Sequence, residues 1–132
     1  MELQVLIVDD SDIVVFLHTE ILALSGLSEN PLSAINGQMA LQMLSENKKN
    51  DPYLILLDIN MPVMDGWGFL EGLQNQPDLP PVYVVMVTSS IDMRDKQKAT
   101  KYPHVIGFFE KPLSMEDCKN VRGLKPIKAF FE

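Results

Sequence analysis

The chain carries five short aliphatic runs, and a stretch with helical spacing or helix-start signals follows each. No other feature limits its fold so severely. The runs lie at residues 3–8 (LQVLIV), 32–34, 53–57 (YLILL), 82–87 (VYVVMV) and 105–109. They are apolar on both sides rather than alternating, as a strand covered on both faces must be. Between them, Ile13, Leu17, Ile21 and Leu24 mark one face of a first helix, with Asp12 as N-cap and Gly26 as its stop. After a turn at Asn36-Gly37, Ala40, Leu41 and Leu44 mark a second helix, and Phe69, Leu70 and Leu73 a third. The fourth, over residues 92–102, has few apolar positions: Met93, Ala99 and Tyr102. A fifth opens at Ser114, with Asp117 in capping-box position. Alternation of this kind implies a parallel sheet with helices on both sides, a doubly wound α/β domain whose right-handed crossovers leave few topologies.

At 132 residues the chain fits one such domain. Cys118 is its only cysteine, so no intrachain disulfide forms, which suits a reducing compartment. Its apolar runs fall far short of the ~20 residues that span a bilayer, and the N-terminus lacks a signal-peptide pattern. The expected setting is therefore cytoplasmic, without membrane insertion. A net charge of −7 opposes direct nucleic-acid binding, where basic groups supply most of the affinity.

Parallel strands deliver the residues just past them to one edge, where ligands of such sheets bind. After the first strand come Asp9 and Asp10, after the third Asp58, after the fourth Thr88, and after the fifth Lys111. Each has an ordinary structural role when taken singly. Asp9 and Asp10 fit a turn and a helix cap, Asp58 a loop acceptor, Thr88 a strand end and Lys111 a solvated amine. Their arrival at four strand ends on one edge is harder to explain by chance. Crowded carboxylates repel unless a cation intervenes, and Mg²⁺ suits a few carboxylates plus water. His18, His104 and Cys118 have no partners at soft-metal spacing, and both histidines are expected at the surface. A carboxylate beside Mg²⁺, a hydroxyl and a lysine make a coherent phosphoryl-transfer site. No Gly-rich phosphate loop is present.

The pieces LIVDDS, LLDINMPVMDG, VVMVTSS and FFEKPLS stand in order along residues 2–122. On them the chain resembles a two-component response regulator receiver domain of the single-domain, chemotaxis-regulator-like kind. The resemblance implies a flavodoxin-like (β/α)5 fold with strand order 2-1-3-4-5. It implies Asp58 as phosphoacceptor, with Mg²⁺ held by Asp10, Asp58 and the Asn60 backbone carbonyl, and with Asp9 assisting through water. Thr88 matches the hydroxyl that follows the phosphoryl group, Lys111 the amine on its oxygens, and Phe108 the aromatic switch. The Lys111–Pro112 bond is cis in many members, and Asn60 and Ser90 match positions that tune phosphoryl lifetime. The implied partners are a sensor histidine kinase or phosphotransfer protein and a downstream protein. The module would catalyse only its own phosphorylation and dephosphorylation, so it is not expected to act as an enzyme on other substrates.

Two other classes remain open at this point. A Mg²⁺-dependent phosphatase of the haloacid-dehalogenase type also uses an aspartyl phosphate, but wants a second acid where Asn60 stands. A flavodoxin-like cofactor module wants a phosphate-binding loop where Asp9-Asp10-Ser11 stands. Within the stretch after Asp58, Asp65 reads as a turn residue paired with Gly66. The expected receiver unit covers residues 1–122. Gly123 and Pro126 disfavour a continued helix, leaving residues 123–132 as a tail with Phe130 and Phe131. That tail either packs on the domain, ends as a frayed terminus, or docks a partner.

Overall fold

A computed structural model describes residues 2–47, 49–89 and 91–132. Five strands alternate with five helices: β1 (Gln4–Val8), α1 (Asp12–Leu24), β2 (Leu32–Ala34), α2 (Gly37–Glu46), β3 (Tyr53–Leu57), α3 (Gly66–Gln74), β4 (Val82–Thr88), α4 (Met93–Ala99), β5 (Val105–Glu110) and α5 (Met115–Arg122). A short 3-10 turn, Lys128–Phe131, follows. The strands are all parallel in the order β2-β1-β3-β4-β5, the doubly wound arrangement expected.

Period-two geometry splits each central strand between two apolar layers. Leu6, Val8, Ile55, Leu57, Val84 and Met86 face one layer with Ala40, Leu44, Phe69, Leu70 and Leu73 from α2 and α3. Val5, Ile7, Leu54, Leu56, Val85 and Val87 face the other with Leu22, Cys118 and Val121 from α1 and α5. All of β3 is buried, which is why it reads as an unbroken aliphatic run. Each fully buried aliphatic side chain contributes about 1.5–3 kcal/mol of transfer free energy, so this double layer dominates folding.

The first helix departs from its predicted face. Ile13 and Leu24 are each 73% exposed, and Leu17 is also exposed. His18 and Leu22 are buried instead, with Val15 and Ile21 partly covered. Apolar residues lie on most sides of α1, so spacing alone does not choose its inner side. Its N-cap is Ser11, whose hydroxyl accepts from the Val14 N–H, and not Asp12. Gly26 does stop the helix, at φ +76, a left-handed conformation that suits glycine.

The Asn36-Gly37 turn is a helix cap, with the Asn36 side chain accepting from the Met39 N–H. Asp65 likewise caps α3 through the Gly68 N–H. Ser114 and Asp117 form the expected capping box of α5, which ends at Arg122. Beyond it the chain stays against the sheet. Ile127 is fully buried in the α1–α5 layer, and Leu124 and Phe131 pack on that layer. Phe130 meets Tyr83 edge-on at 6.2 Å, and Arg122 lies over the Phe131 ring.

Candidate functional site

The site is built at the carboxyl edge of β1, β3, β4 and β5. Strand pairing extends by one bond beyond β1 and β3: the Asp9 N–H donates to the Ala34 carbonyl, and the Asp58 N–H to the Val8 carbonyl. Both backbones are therefore tied to neighbouring strands while their side chains leave the sheet. Asp9 and Asp58 are buried, at 4% and 5% exposure, and Asp10 is open to solvent. One oxygen from each of Asp9, Asp10 and Asp58 lies within 4.8 Å of the others.

Lys111 closes the cluster. Its ammonium donates to Asp9 Oδ2 at 2.9 Å and stands 3.3 Å from Asp58 Oδ2. The remaining Asp9 oxygen accepts from the Ser11 N–H, and Asp58 Oδ1 accepts from the Ile59 N–H, both at 2.9 Å. Burial pushes the Asp58 carboxyl above the usual carboxylate range. The charge of Asp9 adds to this, while Lys111 and the Ile59 N–H oppose it. Burial alone would pull the Lys111 ammonium down, but hydrogen bonding to Asp9 and the charges of Asp58 and Asp9 outweigh it and hold it up. The edge thus carries more negative charge than one lysine balances.

Thr88 is buried at the end of β4, and its carbonyl accepts from the Lys111 N–H at 2.8 Å. The strand-four and strand-five contributions to the site are therefore locked together through backbone. The Lys111–Pro112 bond is cis. Phe108 is half-buried three residues upstream, beside a cleft of about 250 Å³ between α4 and β5. Asn60 is exposed on the loop after Asp58, where Val63 adopts φ +69 and Gly66 returns to donate to the Ile59 carbonyl. Ser90 lies outside the described residues.

Asp9, Asp10, Asp58 and Lys111 are thus brought together directly, and Thr88 joins through its backbone. The donor set is all oxygen, with Asp10 open to water on one side. This is the chemistry of a hard divalent cation such as Mg²⁺ that keeps several waters. His104 stands well away, at the β5 end nearest Pro103 and Val82, and is partly covered rather than a surface residue. The expectation of a surface histidine fails outright for His18, which is 1% exposed and accepts the Leu113 N–H on Nε2. Its position amid apolar residues of α1 was the only sequence signal available.

The family model of the response regulator receiver domain matches residues 5–121. The chain belongs to that family. This receiver domain is 40% identical to the transcriptional regulatory protein PrrA of Mycobacterium tuberculosis over 92 residues, 69% of this chain and 37% of PrrA. It is 30% identical to response regulator Rcp1 of Synechocystis over 126 residues, 92% of this chain and 85% of Rcp1. A two component response regulator from Cytophaga hutchinsonii superposes at a TM-score of 0.82 with 32% identity, covering 99% of this chain and 98% of that one. The receiver domain spans well under half the length of relatives such as PrrA. Receiver domains serve two-component, phosphorylation-based signalling, and no helix among the described residues is long and apolar enough to cross a membrane.

Proposed function

We propose that this receiver domain accepts a phosphoryl group on Asp58 from a phosphohistidine of a histidine kinase or phosphotransfer protein, in a Mg²⁺-dependent reaction. The observation that carries this reading is the convergence of Asp9, Asp10 and Asp58 on one edge, with Lys111 bridging Asp9 and Asp58. In the transfer, an Asp58 oxygen forms a bond to phosphorus as the phosphorus–nitrogen bond of the donor breaks. The electron pair returns to the imidazole, which takes a proton from water. The product is an acyl phosphate.

Asp10, Asp58 and the Asn60 carbonyl would hold Mg²⁺, with Asp9 assisting through water. Bound there, the metal supplies charge stabilisation for the transferring oxygens. Lys111 supplies the protein's own positive charge at the same place and orients Asp58 before the donor arrives. Thr88 and Phe108 form the switch: new phosphoryl acceptors draw the Thr88 hydroxyl, and Phe108 moves into the space released. The cleft beside Phe108 and the single buried residue of α4, Ala99, support movement on that side. The surface of α4 and β5 then changes for a downstream protein. Asn60, standing where a haloacid-dehalogenase phosphatase needs a second acid, counts against that alternative.

Incubation with acetyl phosphate and Mg²⁺, read by intact mass, tests this. One phosphoryl adduct is expected, absent in Asp58→Asn and absent without metal. An adduct that persists in Asp58→Asn would overturn the assignment. Amide exchange across residues 91–109 is expected to change on phosphorylation, and unchanged exchange would sink the switch.

A further inference from the structure

His18 is more deeply buried than Asp9, Asp58 or Thr88, yet it lies midway along α1, away from the carboxylates in sequence. Its Nε2 accepts the Leu113 N–H at 3.2 Å, a bond that spans 95 residues of chain. Leu113 is itself buried and stands two residues after Lys111. Leu113 lies in irregular backbone past the end of β5, so its N–H has no ladder to join, and a buried N–H without a partner is rare. The Lys111 N–H is satisfied by the Thr88 carbonyl, Pro112 has no N–H, and the Leu113 N–H is satisfied by His18. The loop that carries the ammonium is therefore pinned at two points, to β4 by backbone and to α1 by one imidazole.

The chemistry of that imidazole fits the task. Burial holds its pKa down, with Asp9 opposing and Lys111 adding, in keeping with an Nε2 that accepts a hydrogen bond and so carries no proton. A neutral ring accepting on Nε2 carries its proton on Nδ1. An apolar residue would fill the volume at less desolvation cost but would leave the Leu113 N–H unpaired.

We propose that His18 is a positioning residue for Lys111, fixing through Leu113 the loop that holds the ammonium between Asp9 and Asp58. The role rests on the phosphoacceptor reading of Asp58 for its functional meaning, and the geometry it claims is testable without it.

The experiment compares His18→Leu, which fills the space without an acceptor, with His18→Gln, whose amide oxygen stands near the place of Nε2. His18→Asn, polar but too short to reach Leu113, takes the place of His18→Leu if that chain fails to fold. Three readouts are taken: adduct formation from acetyl phosphate with Mg²⁺, amide exchange at Leu113, and labelling of Lys111 by an amine-reactive acetylating reagent. In His18→Leu, adduct formation is expected to slow about tenfold and Leu113 exchange to accelerate about tenfold, while His18→Gln stays within about twofold on both. Lys111 labelling rises in His18→Leu whether or not Asp58 takes a phosphoryl group. In a Lys111→Met background, His18→Leu is expected to change adduct formation by less than about twofold, because the two residues act as one unit.

Equal slowing in both backgrounds, or unchanged Lys111 labelling when Leu113 loses protection, would overturn the proposal. Failure of the unaltered protein to form any adduct would instead count against the phosphoacceptor reading, and the labelling and exchange measurements would still decide the role of His18.

Discussion

Gly66 lies directly behind Asp58: a Cβ on Gly66 would stand 2.6 Å from the Asp58 carbonyl oxygen and 3.1 Å from the Ile59 Cα. Those neighbours are backbone and cannot turn aside. The start of α3 is thereby pressed against the strand end that carries the candidate nucleophile. Gly66→Ala is expected to destabilise the protein by about 2 kcal/mol, as overpacking does, lowering the urea midpoint at constant slope. A midpoint unchanged from the unaltered protein would show that the contact relaxes.

Asp58 bears a charge its surroundings disfavour. Burial is the main cause and the Asp9 carboxylate adds to it. Asp58→Asn removes that charge while keeping the shape. In metal-free buffer at pH 7 the variant is expected to be more stable than the unaltered chain by about 1 kcal/mol, and on the proposed reading of Asp58 to accept no phosphoryl group. Urea titration with a chelator present checks this, and a less stable variant would mean that the Lys111–Asp58 attraction outweighs the strain.

Mg²⁺ binding to the same carboxylates is expected to raise the thermal midpoint. At a hundredfold excess over its dissociation constant the gain is about 2.7 kcal/mol. Calorimetry with and without the metal measures it. Asp10→Ala is expected to remove most of the shift, and an undiminished shift in that variant would place the metal elsewhere.

His18 gives the acid limb of the stability profile its sign. Burial depresses its folded pKa, so near pH 6.5 the unfolded chain takes a proton that the folded protein refuses. Its contribution is present above that pH and is lost as pH falls toward the folded value. Between pH 7 and pH 5.5 the unaltered protein is expected to lose more stability than His18→Gln, measured as urea midpoints at each pH. Parallel profiles for the two chains would refute this.

Ile127 anchors the residues beyond α5. With its side chain fully buried in the α1–α5 layer, Ile127→Ala is expected to cost about 3 kcal/mol through lost burial and the cavity left behind. A thermal midpoint close to that of the unaltered chain would instead mark residues 124–132 as an appendage.

The sheet and the carboxylate edge were legible because position decides them. Tyr53–Leu57 is apolar at every residue since both faces are covered, and the acid after it must emerge at the edge where Asp9 and Asp10 emerge. The inner face of α1 was illegible for the opposite reason. With apolar residues on most sides, Ile13, Leu17 and Leu24 read as an inner face as readily as the one holding His18 and Leu22, and only packing against β1 and α5 chooses between them. The role of His18 depends on a backbone N–H 95 residues away, at a loop that local spacing does not connect to it. Gly66 was legible as a turn residue but not as a contact with Asp58, because the clash it avoids exists only once α3 folds back.

The buried state of Cys118 has a practical consequence. Its side chain has no exposure, and burial pushes the thiol pKa up, so little thiolate is present to attack an electrophile. The protein is therefore expected to react with maleimides far more slowly than an exposed thiol does. A single cysteine introduced at an exposed position such as Met93 at the start of α4 is expected to take a spin label or fluorophore selectively, which would test whether that helix moves without altering the core.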